Sequence, residues 1–291
     1  MSYERTPLPY FAKDLPAPLP TIEQIQDEKN HVLQTHRGNT VVRVGEHFVV
    51  KYGGDAHAPL SDGEMMLFVR RNCRVRVPTV YAIFRDEATK LNYLVMEYIA
   101  GKTLSELWPT LDEDAVKAYA LQLRACLDEL QGIPAPGYYG GFARTVFNEQ
   151  CILRSTASPD ESWVAVDTEE EFIDLIFAAL QKRRPLESPR LKWMRMAVGD
   201  VWKGHRPVFT HGDLTPANIM VADDDGKFVL LDFATAGWYP EFWEYATSMI
   251  SGWGALPKYC LWFDSGMKRY AAETAWLDIV LRWYAPLVFD S

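Results

Sequence analysis

Three oxygen-bearing side chains stand at short, fixed intervals late in the chain. Asp213 comes two residues after His211, Asn218 follows five residues after Asp213, and Asp232 closes the run Leu230-Leu-Asp232. The stretches Phe209-Thr-His-Gly-Asp-Leu-Thr-Pro-Ala-Asn-Ile-Met220 and Leu230-Leu-Asp-Phe-Ala234 set these residues in short loops bounded by apolar, strand-like runs. Phosphoryl transfer needs such a set: one carboxylate to orient or deprotonate a nucleophile, and a carboxamide with a second carboxylate to hold Mg2+. Asp213 is the candidate catalytic base, and Asn218 and Asp232 are the candidate metal ligands. His211 belongs to the same catalytic stretch and suits loop-holding hydrogen bonds better than proton transfer. A lone H-x-D carries little meaning. The ordered series H-x-D-x-x-x-x-N, then apolar-apolar-D-F, is specific because each interval imposes a geometry.

Mg2+ leaves part of a triphosphate's charge uncompensated, so a cation is expected as well. Lys51 ends the run Phe48-Val-Val-Lys51 and can reach from a sheet toward phosphates. Glu64, on the next expected helix, is read as the partner that orients it, with Glu23 or Glu28 as fallbacks. Asn39 and Thr40, in Gly38-Asn-Thr40 ahead of the first hairpin strand, are candidates to cover the phosphates, although the stretch is not G-x-G-x-x-G. Met96, Glu97, Tyr98 and Ile99 end the last strand of the small sheet, where backbone groups can pair with a purine edge. Adenine and guanine are not distinguished this way, so ATP and GTP both stand as donors.

On the acceptor side, Glu241 and Glu244 lie three apart on a helix expected to begin at Pro240. They are candidates to face a cationic or hydroxylated substrate, or to be surface acids of a first helical turn. Trp238 is a candidate pocket wall, as are Trp243, Trp253 and Trp262, with core packing the better reading for any one of them. Asp223-Asp-Asp-Gly226 lacks the spaced ligands of a calcium loop and reads as a hairpin turn.

The elements that must hold these residues follow from periodicity. Residues 1–20 carry Pro7, Pro9, Pro16, Pro18 and Pro20 and read as an extended arm. Thr21 to His36 reads as a short helix. Thr40 to Tyr52 is a hairpin about Gly45-Glu46, Asp62 to Asn72 is a helix, and residues 79–84 and 91–99 are strands. Beyond Gly101 the pattern turns helical: a short piece at Leu104–Trp108, then Asp112–Leu130, Thr168–Gln181 and Ser188–Trp202, with 133–165 loop-like. The expected organisation is an arm and helix over 1–35, a nucleotide-binding sheet over 36–99, and a mainly helical part over 100–291 carrying the catalytic loop, metal site and substrate pocket.

The chain has 291 residues, 48% hydrophobic and 24% charged, which suits a globular α+β protein of one large domain or two unequal lobes. A net charge of −9 disfavours nucleic acid and anionic membranes as partners. The four cysteines show no metal-ligand or paired spacing. No membrane-length apolar run and no leader pattern are seen, so the expected location is cytoplasmic.

In the order Lys51, Glu64, Met96–Ile99, Asp213, Asn218, Asp232, the chain resembles the protein-kinase-like fold. It is most similar to the aminoglycoside phosphotransferase and choline kinase-like family of small-molecule kinases. H-G-D-L-x-x-x-N looks like that family's catalytic loop, and Asp232-Phe-Ala looks like its metal-binding D-F-G with the Gly replaced. Ala236-Gly-Trp-Tyr-Pro-Glu-Phe-Trp-Glu-Tyr245, and Phe172 preceded by Thr168-Glu-Glu-Glu, are similar to segments of the fungal branch.

The resemblance implies a bilobal fold, with a small antiparallel-sheet N-lobe bearing one helix and a larger, mainly helical C-lobe. It further implies ATP or GTP with Mg2+, Lys51 on the phosphates, Glu64 as its ion-pair partner, 96–99 as the hinge, and a small hydroxylated acceptor. The missing Gly-rich loop departs from the pattern. Two other readings stay open: a catalytically inactive nucleotide-binding or scaffold protein on the same fold, and a protein kinase. The short span after Asp232 counts against a protein kinase, because no long activation segment fits there.

Overall fold

The computed structural model describes residues 3–36, 38–55, 57–145, 164–183, 189–255 and 257–284. The chain divides into two compact units. One, the sheet unit, comprises Glu4–Leu107 with Ala217–Ala234; the other, the helical unit, comprises Met1–Tyr3, Trp108–Pro216 and Thr235–Ser291.

The sheet unit begins with the proline-rich arm, which contributes the two-residue strand β1 (Tyr10–Phe11). Thr21 starts a helix as its side chain implies. Its hydroxyl accepts the Gln24 N–H, and the Gln24 side chain accepts the Thr21 N–H in return. The expected helix over Thr21–His36 is nevertheless wrong beyond its first turn. Helix α1 is only Ile22–Ile25, and residues 31–36 form strand β2 (His31–His36). Val32 and Thr35 are β-branched, and the ladder to β3 (Asn39–Val44) satisfies their backbone, so sheet pairing overrides helix propensity.

β3 and β4 (Phe48–Gly53) form the expected hairpin, and Gly45 takes the left-handed backbone (φ 64°) that its turn requires. Helix α2 (Leu60–Asn72), then β5 (Val80–Arg85) and β6 (Asn92–Glu97), complete a six-stranded sheet in the order β1-β5-β6-β4-β3-β2. Every pairing in it is antiparallel. Val42, Phe48, Val50, Tyr93 and Val95 fill the core on one side of the sheet, with Ile25 of α1 packed onto them.

α2 packs flush against the sheet at Gly63, where an added Cβ would lie 2.7–2.8 Å from Ile83 and Leu94 side-chain atoms. The same unit holds β7 (Gly101–Thr103), the single-turn helix α3 (Leu104–Leu107), β9 (Ile219–Ala222) and β10 (Phe228–Leu230). These strands form a second sheet in the order β10-β9-β7. Asp223–Gly226 makes the expected turn, and Arg76 pairs with Asp224 and Asp225 on it.

The helical unit opens with α4 (Glu113–Gln131), capped by Asp112, with Ala120, Leu123, Leu127 and Leu130 buried along one stripe. α5 (Glu169–Arg183) carries the capping box expected of its acidic start: Thr168 Oγ1 accepts the Glu171 N–H, and Glu171 accepts the Thr168 N–H. α6 (Pro189–Val201), β8 (Pro207–Thr210), β11 (Gly237–Pro240), α7 (Trp243–Ala255), α8 (Pro257–Gly266) and α9 (Ala271–Tyr284) follow. The core is aromatic: Phe172, Trp202, Trp238, Tyr239, Phe242 and Trp243 are fully buried. Of the loop-like stretch 133–165, residues 146–163 lie outside the described ones, as does the Trp253 side chain. Among the described residues, no helix is long and apolar enough to cross a membrane.

Candidate functional site

The residues singled out in the sequence fall into two groups, one inside each unit. In the sheet unit, Lys51 stands near the end of β4, in register with Val41 and Leu94. Its ammonium is buried, 2.7 Å from Asp62 Oδ2 and 2.9 Å from Asp232 Oδ1. Burial works against the charged lysine, but the two carboxylates outweigh it, and the Lys51 pKa is raised. Asp62 is fully buried. Burial pushes its carboxyl up, Lys51 pulls it back, and Asp232 adds to the push. Its other oxygen, Oδ1, accepts the Phe233 N–H at 2.9 Å. One carboxylate thus holds both the lysine and the backbone of the Asp232-Phe233-Ala234 turn.

The expected Lys51–Glu64 pair is not formed. Asp62 takes that place, and Glu64 pairs with Arg5 of the N-terminal arm at 2.5 Å. Helix geometry is the reason: two residues along α2 is a rotation of about 200°, so a helix that turns Asp62 to Lys51 turns Glu64 away. Asp62 was legible in principle, as an acid in the first turn of the helix that follows the lysine strand.

Asp232 adopts a left-handed backbone (φ 61°) and is partly exposed, and the Ala234 N–H approaches its Oδ1 at 3.4 Å. The Leu231 N–H donates to the Asn218 carbonyl at 2.9 Å, which sets the backbones of the two metal candidates side by side. Among the described residues, no cluster of three His, Cys, Asp or Glu could hold a metal unaided. One carboxylate and one carboxamide instead fit Mg2+ that arrives with phosphate and water oxygens.

Asn39 and Thr40 lie on β3 rather than ahead of it. His36 pairs with Asn39, and Gly38 has φ 96°. The Asn39 side chain donates to the His57 carbonyl at 2.8 Å.

In the 96–99 segment, Met96 and Glu97 belong to β6. Glu97 and Tyr98 N–H groups donate to the Thr79 and His47 carbonyls, and the Tyr98 ring lies under the Arg43 guanidinium. Ile99 packs with Ala222 and Val229, and Met220 and Leu231 lie at the edge of this cluster. Sequence reasoning did not single out Met220, which lies on β9, or Leu231, which directly follows β10.

In the helical unit, His211-Gly-Asp-Leu214 follows β8. Gly212 has φ 83°, and a Cβ there would stand 2.9 Å from the Thr235 carbonyl, so only glycine fits. The loop backbone is held throughout. Glu244 accepts the His211 N–H at 2.5 Å and the Gly212 N–H at 3.1 Å. Thr235 Oγ1 donates to the His211 carbonyl, and Ser248 and Tyr259 hydroxyls donate to the Leu214 carbonyl. His211 is completely buried, and its Nδ1 accepts the Asp213 N–H at 3.3 Å. Its ring has no surface to offer a reactant.

The acceptor-side candidates are corrected. Pro240 ends strand β11 against Pro207 of β8, and the helix begins only at Trp243, so Glu241 and Glu244 do not share a helical face. A proline without an N–H suits the end of a two-stranded ladder. Glu241 pairs with His205 and Lys268. Glu244 is buried under the loop; burial pushes its carboxyl up to about 7, against the pull of the two N–H donors. Trp238 is fully buried among Tyr3, Tyr138, Phe142 and Phe209 and lines no open wall. Trp243 and Trp262 are core residues too.

Comparison with known proteins gives a consistent result. The family model described as "Phosphotransferase enzyme family" matches residues 30–277. No curated protein matches the chain. Among solved structures, a thermostable mutant of aminoglycoside phosphotransferase APH(4)-Ia is similar at 14% identity and TM-score 0.59, over 89% of this chain and 88% of that one. The GDP complex of aminoglycoside 2'-phosphotransferase-IIIa is similar at 14% identity and TM-score 0.59, over 87% and 83%. A GDP and kanamycin complex of APH(2")-IIia is similar at 15% identity and TM-score 0.57, over 89% and 86%. At these identities the likeness establishes the fold, which is protein-kinase-like and α+β.

Proposed function

The chain belongs to the phosphotransferase enzyme family, and from that premise we propose that it is a small-molecule kinase. It would move the γ-phosphate of ATP or GTP to a hydroxyl of a small acceptor. The observation that carries this reading is Lys51, buried and charged between Asp62 and Asp232 on a carboxylate that also fixes the Asp232 turn. A buried cation and a half-exposed carboxylate held this rigidly suit a bound polyphosphate.

In this reading Lys51 contacts phosphate oxygens, and Asn218 and Asp232 hold Mg2+, which neutralises phosphate charge when bound. Asp213 accepts the acceptor's hydroxyl proton. The acceptor oxygen bonds to the γ-phosphorus, the bond to the bridging oxygen breaks, and the nucleoside diphosphate leaves with that electron pair. Ile99 and its apolar neighbours supply a surface for the purine ring. The segments at 168–172 and 236–245 further suggest the family's fungal branch.

The related structures include complexes with kanamycin and with streptomycin. They favour hydroxylated, cationic small molecules as the class to test first. A protein substrate is disfavoured because the chain enters β11 at Gly237, soon after Asp232, with no room for a long activation segment.

The test is nucleoside diphosphate release with ATP or GTP and Mg2+. Aminoglycosides, amino alcohols, sugars and hydroxylated metabolites would be set against generic protein substrates. Acceptor-dependent release supports the kinase. Nucleotide binding without turnover across the whole panel would favour the scaffold reading instead.

A further inference from the structure

Glu64 is 2% exposed, yet among the described residues its hydrogen-bonding side-chain partner comes from far away in sequence. Arg5 reaches it with two bonds, Nη2 to Oε2 at 2.5 Å and Nε to Oε1 at 3.2 Å. This is the forked geometry in which a guanidinium fixes the position of a carboxylate as well as neutralising it. The next arm residue, Thr6, is also buried and accepts a bond from Arg71. Glu64 and Arg71 are seven apart on α2, hence on one helical face. The arm therefore lies along that face. It is anchored in turn where β1 pairs with β5 and the Ala12 N–H donates to the Tyr81 carbonyl.

α2 is pinned from two other directions in the same turn. At Gly63 it touches Ile83 and Leu94 with no space for a methyl group. At Asp62 it reaches Lys51 and the Phe233 N–H. The three contacts come from consecutive residues, so a shift at one moves the others.

We propose that Arg5 is a positioning residue of the nucleotide site: by holding Glu64 it sets α2 where Asp62 can grip Lys51 and the turn that carries Asp232. The arm is then a working part of the site, although it touches neither phosphate nor metal. This inference rests on the kinase reading above.

Calorimetric titration of the full-length protein with ATP and with GTP, each with Mg2+, tests it. Arg5→Ala should weaken nucleotide affinity by about tenfold or more, the size typical of losing a supporting contact, and Arg5→Lys should fall between. In an Asp62→Ala background, Arg5→Ala should weaken binding no further, because the route through Asp62 is already cut. A role in general stability alone would not produce that loss of effect. Unchanged affinity in Arg5→Ala, or losses that simply add in the double variant, overturns the proposal. Should Arg5→Ala fail to fold, Glu64→Gln keeps the shape, removes the charge, and carries the same comparison. If the unaltered protein binds neither nucleotide, the kinase reading itself fails and this inference falls with it; that result is distinct from normal binding that Arg5→Ala leaves untouched.

Discussion

Glu244 Oε2 accepts the backbone N–H of His211 at 2.5 Å from within the core of the helical unit. A carboxylate at this place presents acceptors to two successive loop N–H groups, those of His211 and Gly212. The loop geometry therefore depends on a buried acid whose own ionisation is finely balanced, and stability should carry its signature.

The Glu244 carboxyl is raised by burial from 4.5 to about 7. Between these values the folded chain keeps a proton that the unfolded chain has lost. The group's contribution to stability is thus complete below pH 4.5, declines as pH rises, and is gone above about 7. Unfolding free energies at pH 5 and pH 8 should differ by up to about 3 kcal/mol more in the unaltered protein than in Glu244→Gln. Parallel pH profiles for the two would refute this.

Asp213→Ala should lower kcat by roughly 10²–10⁴-fold while nucleotide affinity changes little, because a general base acts only on the proton in flight. Single-turnover kinetics with calorimetry separates the two quantities. Turnover near that of the unaltered enzyme would end the assignment.

Lys51→Met removes the cation from between two carboxylates and leaves Asp62 charged in the core. Breaking a buried pair from one side costs about 3–5 kcal/mol. Adding Asp62→Asn should return part of that stability, because the stranded charge is gone. Urea denaturation of the single and double variants reads this directly. A double variant no more stable than Lys51→Met would show that the burial of charge is not what matters.

Asp232→Ala should abolish the part of nucleotide binding that depends on Mg2+, leaving a weak, metal-independent remainder through Lys51. The comparison is calorimetry with and without Mg2+. Retained enhancement by Mg2+ would move the metal to other ligands.

Much of the architecture is written in local sequence. The β3–β4 hairpin announces itself through β-branched runs about Gly45, and the capping residues at Thr21, Asp112 and Thr168 mark helix starts. The candidate residues Lys51, Asp213, Asn218 and Asp232 stand out equally in the sequence, because their types and order suit one chemistry. What escaped depends on partners distant in sequence. Residues 31–36 look helical until β3 is beside them. Glu64 and Asp62 are both acids on the right helix, and only the docking of α2 at Gly63 and the arrival of Arg5 decide which one meets Lys51. Glu244 reads from sequence as a substrate-facing or a surface acid, because its burial comes from aromatic packing around α7 rather than from its neighbours in sequence.

The left-handed backbone at Asp232 has an evolutionary reach. Few residues accept φ near 61° at little strain: glycine, asparagine and aspartate. Of these, only aspartate brings a negative charge. Drift at this position is thereby channelled toward two replacements that keep the backbone turn but remove the charge that pairs with Lys51 and that the proposed chemistry needs. A gene copy released from selection for activity would keep its shape while carrying Asn or Gly here. That single letter would separate working members of a lineage from silent ones before any of them is purified.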